Sequence, residues 1–132
     1  EGFLQLDRCL HNRFKSSLDY STVYVDLDET LIADGRVHEK VMAFLYQCKN
    51  VAISIVLITK HRGDLNQTLE RHGIARSLFS DILHLSDEQE KWAYINPMSS
   101  IFIDNYWFDR KQVKEKLGIP VFDVDAVECL LK

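Results

Sequence analysis

The sequence predicts an α/β domain, a three-layer sandwich around a mostly parallel central sheet. Two observations carry this. Short apolar segments rich in β-branched residues alternate with segments of helical periodicity along the chain. The strongest of them, residues 51–58 (VAISIVLI), is apolar on both faces, as strands buried between two helical layers are. The 132 residues fit one domain with one core, burying about two-thirds of the unfolded surface.

The elements follow in order. Phe3, Leu6, Leu10 and Phe14 recur at helical spacing and make residues 2–15 an amphipathic helix. Residues 16–21 are a polar break, and 22–26 (TVYVD) a buried strand. Asp34-Gly35 marks a turn. Residues 38–49 are helical, with Val41, Leu45 and Cys48 on one face, and lead into the strand at 51–58. A helix over 64–72 closes at Gly73. Residues 81–85 form a short strand. Ser86 with Gln89 three residues on reads as a capping box opening a helix to about Tyr94. Residues 100–104 (SIFID) are a strand, 108–117 a helix ending at Gly118, 119–124 a last strand and 126–131 a last helix. The organisation is one domain over 1–132: an N-terminal helix to residue 16 and a core over 22–132.

Composition narrows the function. Sixteen basic against twenty acidic side chains give a net charge of −4, which disfavours non-specific binding to nucleic acid or anionic membrane. The longest apolar run, 51–59, falls far short of the roughly 20 residues that span a bilayer. Cys9, Cys48 and Cys129 have no zinc-like spacing and read as three reduced thiols, which fits a reducing, cytoplasmic compartment. No charged-then-apolar leader precedes the first element. The chain does not begin with Met, as in a processed product or a piece of a longer protein.

Chemistry concentrates at strand ends. Asp26 and Asp28 follow TVYV, Thr59 follows ISIVLI and Asp104 follows SIFI. Ligand sites of open parallel sheets form outside the carboxyl ends of the strands, so these residues converge. Lys91 lies between Thr59 and Asp104 in sequence and can reach the same crevice. The residue types form a phosphoryl-transfer set. Two carboxylates, Asp26 and Asp104, suit the hard cation Mg²⁺. A carboxylate nucleophile near phosphate needs its repulsion screened, which a metal and Lys91 would do, with Thr59 donating to a phosphoryl oxygen. Asp28 is placed to protonate a leaving oxygen and then to take a proton from water.

This pattern resembles the haloacid dehalogenase (HAD) superfamily. Asp26-Leu27-Asp28-Glu29-Thr30-Leu31 is similar to motif I, Asp-x-Asp-x-Thr after an apolar strand. Ile58-Thr59 is similar to motif II, Lys91 falls where the motif III lysine is expected, and Ile103-Asp104 with Asp109 resembles the acidic motif IV. The four stand in the family's order over nearly all of the chain from Thr22. The resemblance implies a HAD-like Rossmannoid sheet and Mg²⁺ held by Asp26, the Asp28 backbone carbonyl and Asp104. It also implies an aspartyl-phosphate on Asp26, Asp28 as acid/base, and hydrolysis of a phosphomonoester. Asp104 is followed by Asn105 rather than a second Asp, which leaves Asn105, Asp109 or water to complete the metal's surroundings.

The two places where family members insert cap domains are short here, so the protein reads as capless. An open crevice favours a large or extended phosphorylated substrate, or closure by another chain or domain. Lys60, His61 and Arg62 directly follow Thr59. They read either as a grip on the leaving group or a second anionic group, or as a solvated loop. His11, His38, His72 and His84 are scattered and read as surface or satisfied core groups. Tyr106, Trp107 and Phe108 read as packing or edge-covering residues, or as the lining of the substrate mouth. The N-terminal helix either covers the sheet or docks onto a parent domain, and homo-oligomerisation is also open. Two competing readings come from other classes. A binding or assembly module that keeps the fold would have no need of Asp28. A receiver domain would carry its phosphorylated Asp after a later strand, and no Asp follows Ile58.

Overall fold

The computed structural model describes residues 19–132. The helix read over 2–15, with Cys9 and His11, lies outside the described residues. Five parallel strands form the sheet: β1 (Thr22–Val25), β4 (Ser54–Thr59), β5 (Asp81–His84), β6 (Ser100–Ile103) and β7 (Val121–Phe122), in spatial order β5-β4-β1-β6-β7. The register pairs Val25 with Leu57 on one side and with Ile103 on the other. The chain builds outward from β1 through β4 to β5, then returns to β1's other side with β6 and β7. The direction of winding therefore reverses between β1 and β6, which opens a crevice above their carboxyl ends.

Both faces of the sheet are covered, as the apolar strands require. Val23, Val25, Ile55, Leu57, Ile101 and Ile103 face one layer. That layer holds Val41, Phe44 and Leu45 of α1 (Glu39–Asn50) and Leu65 and Leu69 of α2 (Leu65–Arg71). Tyr24, Val56, Ile58 and Phe102 face the other, with Val113 of α3 (Trp107–Leu117) and Ile95. Alternation along each strand thus feeds two cores.

Element ends follow local chemistry. His38 caps α1, its Nδ1 accepting from the Val41 N–H, and Asp64 caps α2 through the Gln67 N–H. Gly118 ends α3 in the left-handed conformation, as a C-terminal glycine does at no steric cost. Asp34 and Gly35, both at positive φ, join β2 (Ile32–Ala33) to β3 (Arg36–Val37). Asp-Gly at two left-handed positions is the expected two-residue hairpin turn. This small antiparallel flap is all that stands between β1 and α1 apart from loop.

Four readings need correction. The strand expected over 51–58 starts only at Ser54, because Val51 caps α1 and Ala52 turns the chain at positive φ. The helix expected from Ser86 is a turn followed by a 3₁₀ helix, Lys91–Tyr94. Half the capping box forms, with the Ser86 N–H donating to Gln89 Oε1. The final helix is likewise 3₁₀, Val124–Leu130. Cys48 is a buried free thiol as read, whereas Cys129 is disulfide-bonded, since sequence separation does not report distance in space. Among the described residues no helix is long and apolar enough to cross a membrane.

Candidate active site

The polar residues gather at the crevice. β1 and β6 run side by side, so Asp26 and Asp104 each lie one step past the last paired residues. Backbone bonds extend the ladder there, Asp26 N–H to the Ile103 carbonyl and Asp104 N–H to that of Phe122. Both carboxylates are buried, Asp26 at 7% exposure and Asp104 at 0%.

Lys91 lies between them. Its Nζ is 3.0 Å from Asp26 Oδ1, 2.7 Å from Asp104 Oδ2 and 3.5 Å from Asp109 Oδ2. The 3₁₀ helix that carries it packs against α3, which carries Asp109. Three carboxylates thus share one ammonium, and the charge does not balance. Burial pushes the Asp26 carboxyl up despite the Lys91 charge beside it. Burial and the neighbouring Asp26 push Asp104 up to about 6, against the pull of Lys91. Burial also raises Asp109, opposed by Lys91. Burial works against the Lys91 charge, but Asp26 and Asp104 outweigh it and hold the ammonium protonated above its ordinary range.

Thr59 ends β4 fully buried, and its Oγ1 accepts the His61 N–H at 3.0 Å. Among the described residues its hydroxyl hydrogen meets no acceptor, so it is available to a ligand oxygen in the crevice. Asp28 differs from Asp26. Its side chain is 52% exposed, and His61 Nδ1 lies 3.0 and 2.9 Å from its two oxygens.

The other residues singled out from sequence are placed as follows. Lys60 donates to the Asp87 carbonyl at 3.4 Å, and its charge acts on Asp109. Arg62 points outward and pairs with Asp87 at 2.9 Å. Asn105 is exposed. His72 meets the Thr68 carbonyl and His84 the His61 carbonyl, so they are satisfied as read. Tyr106, Trp107 and Phe108 are not packing residues. They stand 61%, 60% and 50% exposed at the start of α3, two to four residues beyond Asp104.

Two residues without an assigned part in the sequence reading hold the crevice together. Buried Thr30 accepts the Asn105 N–H at 2.9 Å, tying the loop after β1 to the loop after β6. Arg110 donates to the carbonyls of Asp104 and Asn105 at 2.8 and 2.9 Å. The Thr closing Asp-x-Asp-x-Thr was the available signal for the first. Nothing local in the sequence marks the second.

Among the described residues no group of three or more His, Cys, Asp or Glu side chains converges as a ready metal cage. The surplus of buried negative charge around Lys91 nevertheless suits a divalent cation. Mg²⁺ in particular takes one or two carboxylates and keeps several waters, so it needs no such cage.

No protein-family model matches the sequence, and no curated protein matches it. Solved structures do match. The N-terminal part of BF1531 from Bacteroides fragilis, which contains a phosphatase domain and was solved with Mg, aligns over 94% of this chain. The TM-score is 0.65 at 18% identity, and this chain spans 41% of that one. The 3-deoxy-D-manno-octulosonate 8-phosphate phosphatase of Moraxella catarrhalis, in complex with magnesium, phosphate and KDO, aligns over 79% of this chain and 68% of its own. There the TM-score is 0.55 at 18% identity. An uncharacterized protein from Corynebacterium glutamicum aligns over 78% and 83%, with TM-score 0.57 at 14% identity. At such identities the likeness is one of fold, the α/β sandwich around a parallel sheet that the sequence predicts.

Proposed function

We propose that this protein is a Mg²⁺-dependent phosphomonoester hydrolase that works through an aspartyl-phosphate on Asp26. One observation carries the reading. Asp26 and Asp104 are buried side by side at the reversal point of the sheet, with Lys91 bridging them. Burying like charges together is costly and persists where function uses it. The magnesium in the B. fragilis and M. catarrhalis structures and the phosphate in the latter support the same reading.

In this reading Asp26, Asp104 and the Asp28 backbone carbonyl hold the metal, with Asn105, Asp109 or water completing its surroundings. Bound there, Mg²⁺ offsets charge on the carboxylates and on the phosphoryl oxygens. An oxygen of Asp26 attacks phosphorus as the bond to the leaving oxygen breaks. Asp28 gives that oxygen its proton, so the leaving group departs as an alcohol. Asp28, now ionised, takes a proton from water as the water oxygen attacks the phosphorus of the acyl phosphate. The phosphorus bond to Asp26 breaks and inorganic phosphate leaves. Lys91 and the Thr59 hydroxyl stabilise charge on the phosphoryl oxygens throughout.

The substrate is a phosphorylated molecule, large or extended, because among the described residues only the short β2–β3 hairpin is inserted between β1 and α1. A second reading rests on the three exposed aromatic rings of Tyr106, Trp107 and Phe108 beside the crevice. Here the site is completed by a further domain or chain seated on them, and the isolated domain binds metal without turnover. Assay with p-nitrophenyl phosphate, with and without Mg²⁺, tests the first reading. Metal-dependent turnover that vanishes in Asp26→Asn is expected. A folded protein that binds Mg²⁺ and turns over nothing would transfer the weight to the second.

A further inference from the structure

We propose that His61 is the positioning residue for Asp28, holding its carboxylate toward the leaving-group side of the crevice. The proposal rests on the phosphatase reading, which gives Asp28 its acid/base role. A half-exposed aspartate has several rotamers open to it, and a proton donor is effective only when held within hydrogen-bond reach of the leaving oxygen. Among the described residues no inserted domain follows β1 or β4, so the positioning falls to the core itself.

His61 is built to supply it. The residue is fixed at four points. Its backbone N–H donates to Thr59 Oγ1 at 3.0 Å, and its carbonyl accepts from His84 Nε2 at 2.6 Å. Its ring Nε2 meets Thr68 Oγ1 of α2 at 3.0 Å, and its ring Nδ1 lies between both Asp28 oxygens. The Thr68 hydroxyl donates to the Asp64 carbonyl at 3.0 Å, and while Asp28 is ionised Nδ1 has to carry a hydrogen to bond it, because a carboxylate only accepts. The ring is 15% exposed against 52% for Asp28, so the more buried partner holds the freer one. Gly63, at φ 100°, then turns the chain into α2, whose Asp64 cap and Thr68 set the far side of the ring. His61 therefore links the Thr59 that faces phosphate to the carboxylate that faces the leaving group.

The test separates leaving groups. An alkyl oxygen needs a proton to depart, whereas p-nitrophenolate does not. kcat/KM reports steps up to leaving-group departure and is blind to later hydrolysis. For His61→Leu, kcat/KM toward glycerol 2-phosphate should fall about 10²-fold, while that for p-nitrophenyl phosphate stays within about threefold. His61→Asn keeps a donor near the Nδ1 position and should restore most of the alkyl activity. Thr68→Val should reproduce the Leu pattern more weakly. An equal loss on both substrates, no loss on either, or no rescue by Asn would overturn the proposal. Nitrogen-15 NMR of the His61 ring reads the contact apart from activity. An Nδ1–H signal that shifts in Asp28→Asn supports it, and a ring carrying hydrogen on Nε2 alone sinks it. If the wild-type protein turns over neither substrate, the phosphatase reading fails, and the NMR result still decides the His61–Asp28 contact.

Discussion

Asp26 and Asp28 stand two residues apart in the chain and in opposite surroundings. Asp26 is buried beside a second carboxylate, with a lysine between them. Asp28 looks outward and rests on a histidine. Asp28 already belongs to the loop after β1, which turns with Glu29 in the left-handed conformation and the Leu27 carbonyl accepting from Leu31 and Ile32. The difference teaches how one short motif produces two kinds of carboxylate. The dry one is raised by desolvation and needs counter-charge. The wet one is governed by the side chain that holds it.

The sharpest break in the comparison is removal of the dry carboxylate's nucleophilicity. Asp26→Asn keeps the shape and should lower kcat by roughly 10⁴-fold or more, since loss of a covalent nucleophile leaves only residual binding effects. Steady-state assay with p-nitrophenyl phosphate reads it. Next, Lys91→Met leaves Asp26 and Asp104 facing each other without their ammonium. Removing one partner of a buried ion pair costs about 3–5 kcal/mol, so urea unfolding should show that loss, with part of it regained in Mg²⁺.

A third prediction uses pH. The Asp104 carboxyl stands at about 6 in the fold against an ordinary 3.8. Between these values the folded protein keeps a proton that the unfolded chain has released. This group's contribution therefore favours folding below about pH 4 and is lost as pH rises through about 6, a difference of about 3 kcal/mol. Metal-free protein should unfold at lower urea at about pH 7.5 than at about pH 5 on this account. The trend should flatten in Asp104→Asn and in the presence of Mg²⁺. A wild-type slope equal to that of Asp104→Asn would show that Asp104 is not buried as charge.

The smallest effect expected is that of Thr30→Val, which leaves the Asn105 N–H without its acceptor. A part-buried bond of this kind is worth about 1 kcal/mol, so the melting temperature should drop by a few degrees. Mg²⁺ affinity by calorimetry should weaken with it, because the loops after β1 and β6 lose their tie.

The dry half of the site was legible in the sequence, and most of the wet half was not. Asp26, Thr59 and Asp104 follow apolar runs, and parallel strands bring their carboxyl ends together by geometry alone. Lys91 reaches Asp26 and Asp104 although the helix expected around it is only a 3₁₀ turn, since its distance along the chain from Thr59 and Asp104 matters more than the helix type. The His61–Asp28 contact depends on how the loop between β4 and α2 bends, through Gly63 at positive φ. Lys60-His61-Arg62 is a uniform basic run in sequence, yet Lys60 and Arg62 turn to Asp87 while His61 turns to Asp28 and Thr68. Loop conformation is set by tertiary contacts that periodicity does not encode. The aromatic run is a similar case: three large rings in a row suggest burial, but they open α3 at its exposed end.

The strand order carries a consequence for how the chain comes to be folded. Ser21 and Ser99, 78 residues apart, lie together where β1 and β6 begin. β1 therefore gains its second neighbour only after a long loop has closed, a slow event in parallel topologies. That same docking brings Asp104 against Asp26, so the step that completes the sheet is also the one that meets the carboxylate repulsion. A chain with β1, β4 and β5 already paired holds Asp26, Asp28 and Thr59 but lacks Asp104. The crevice becomes whole only when the last part of the sheet arrives.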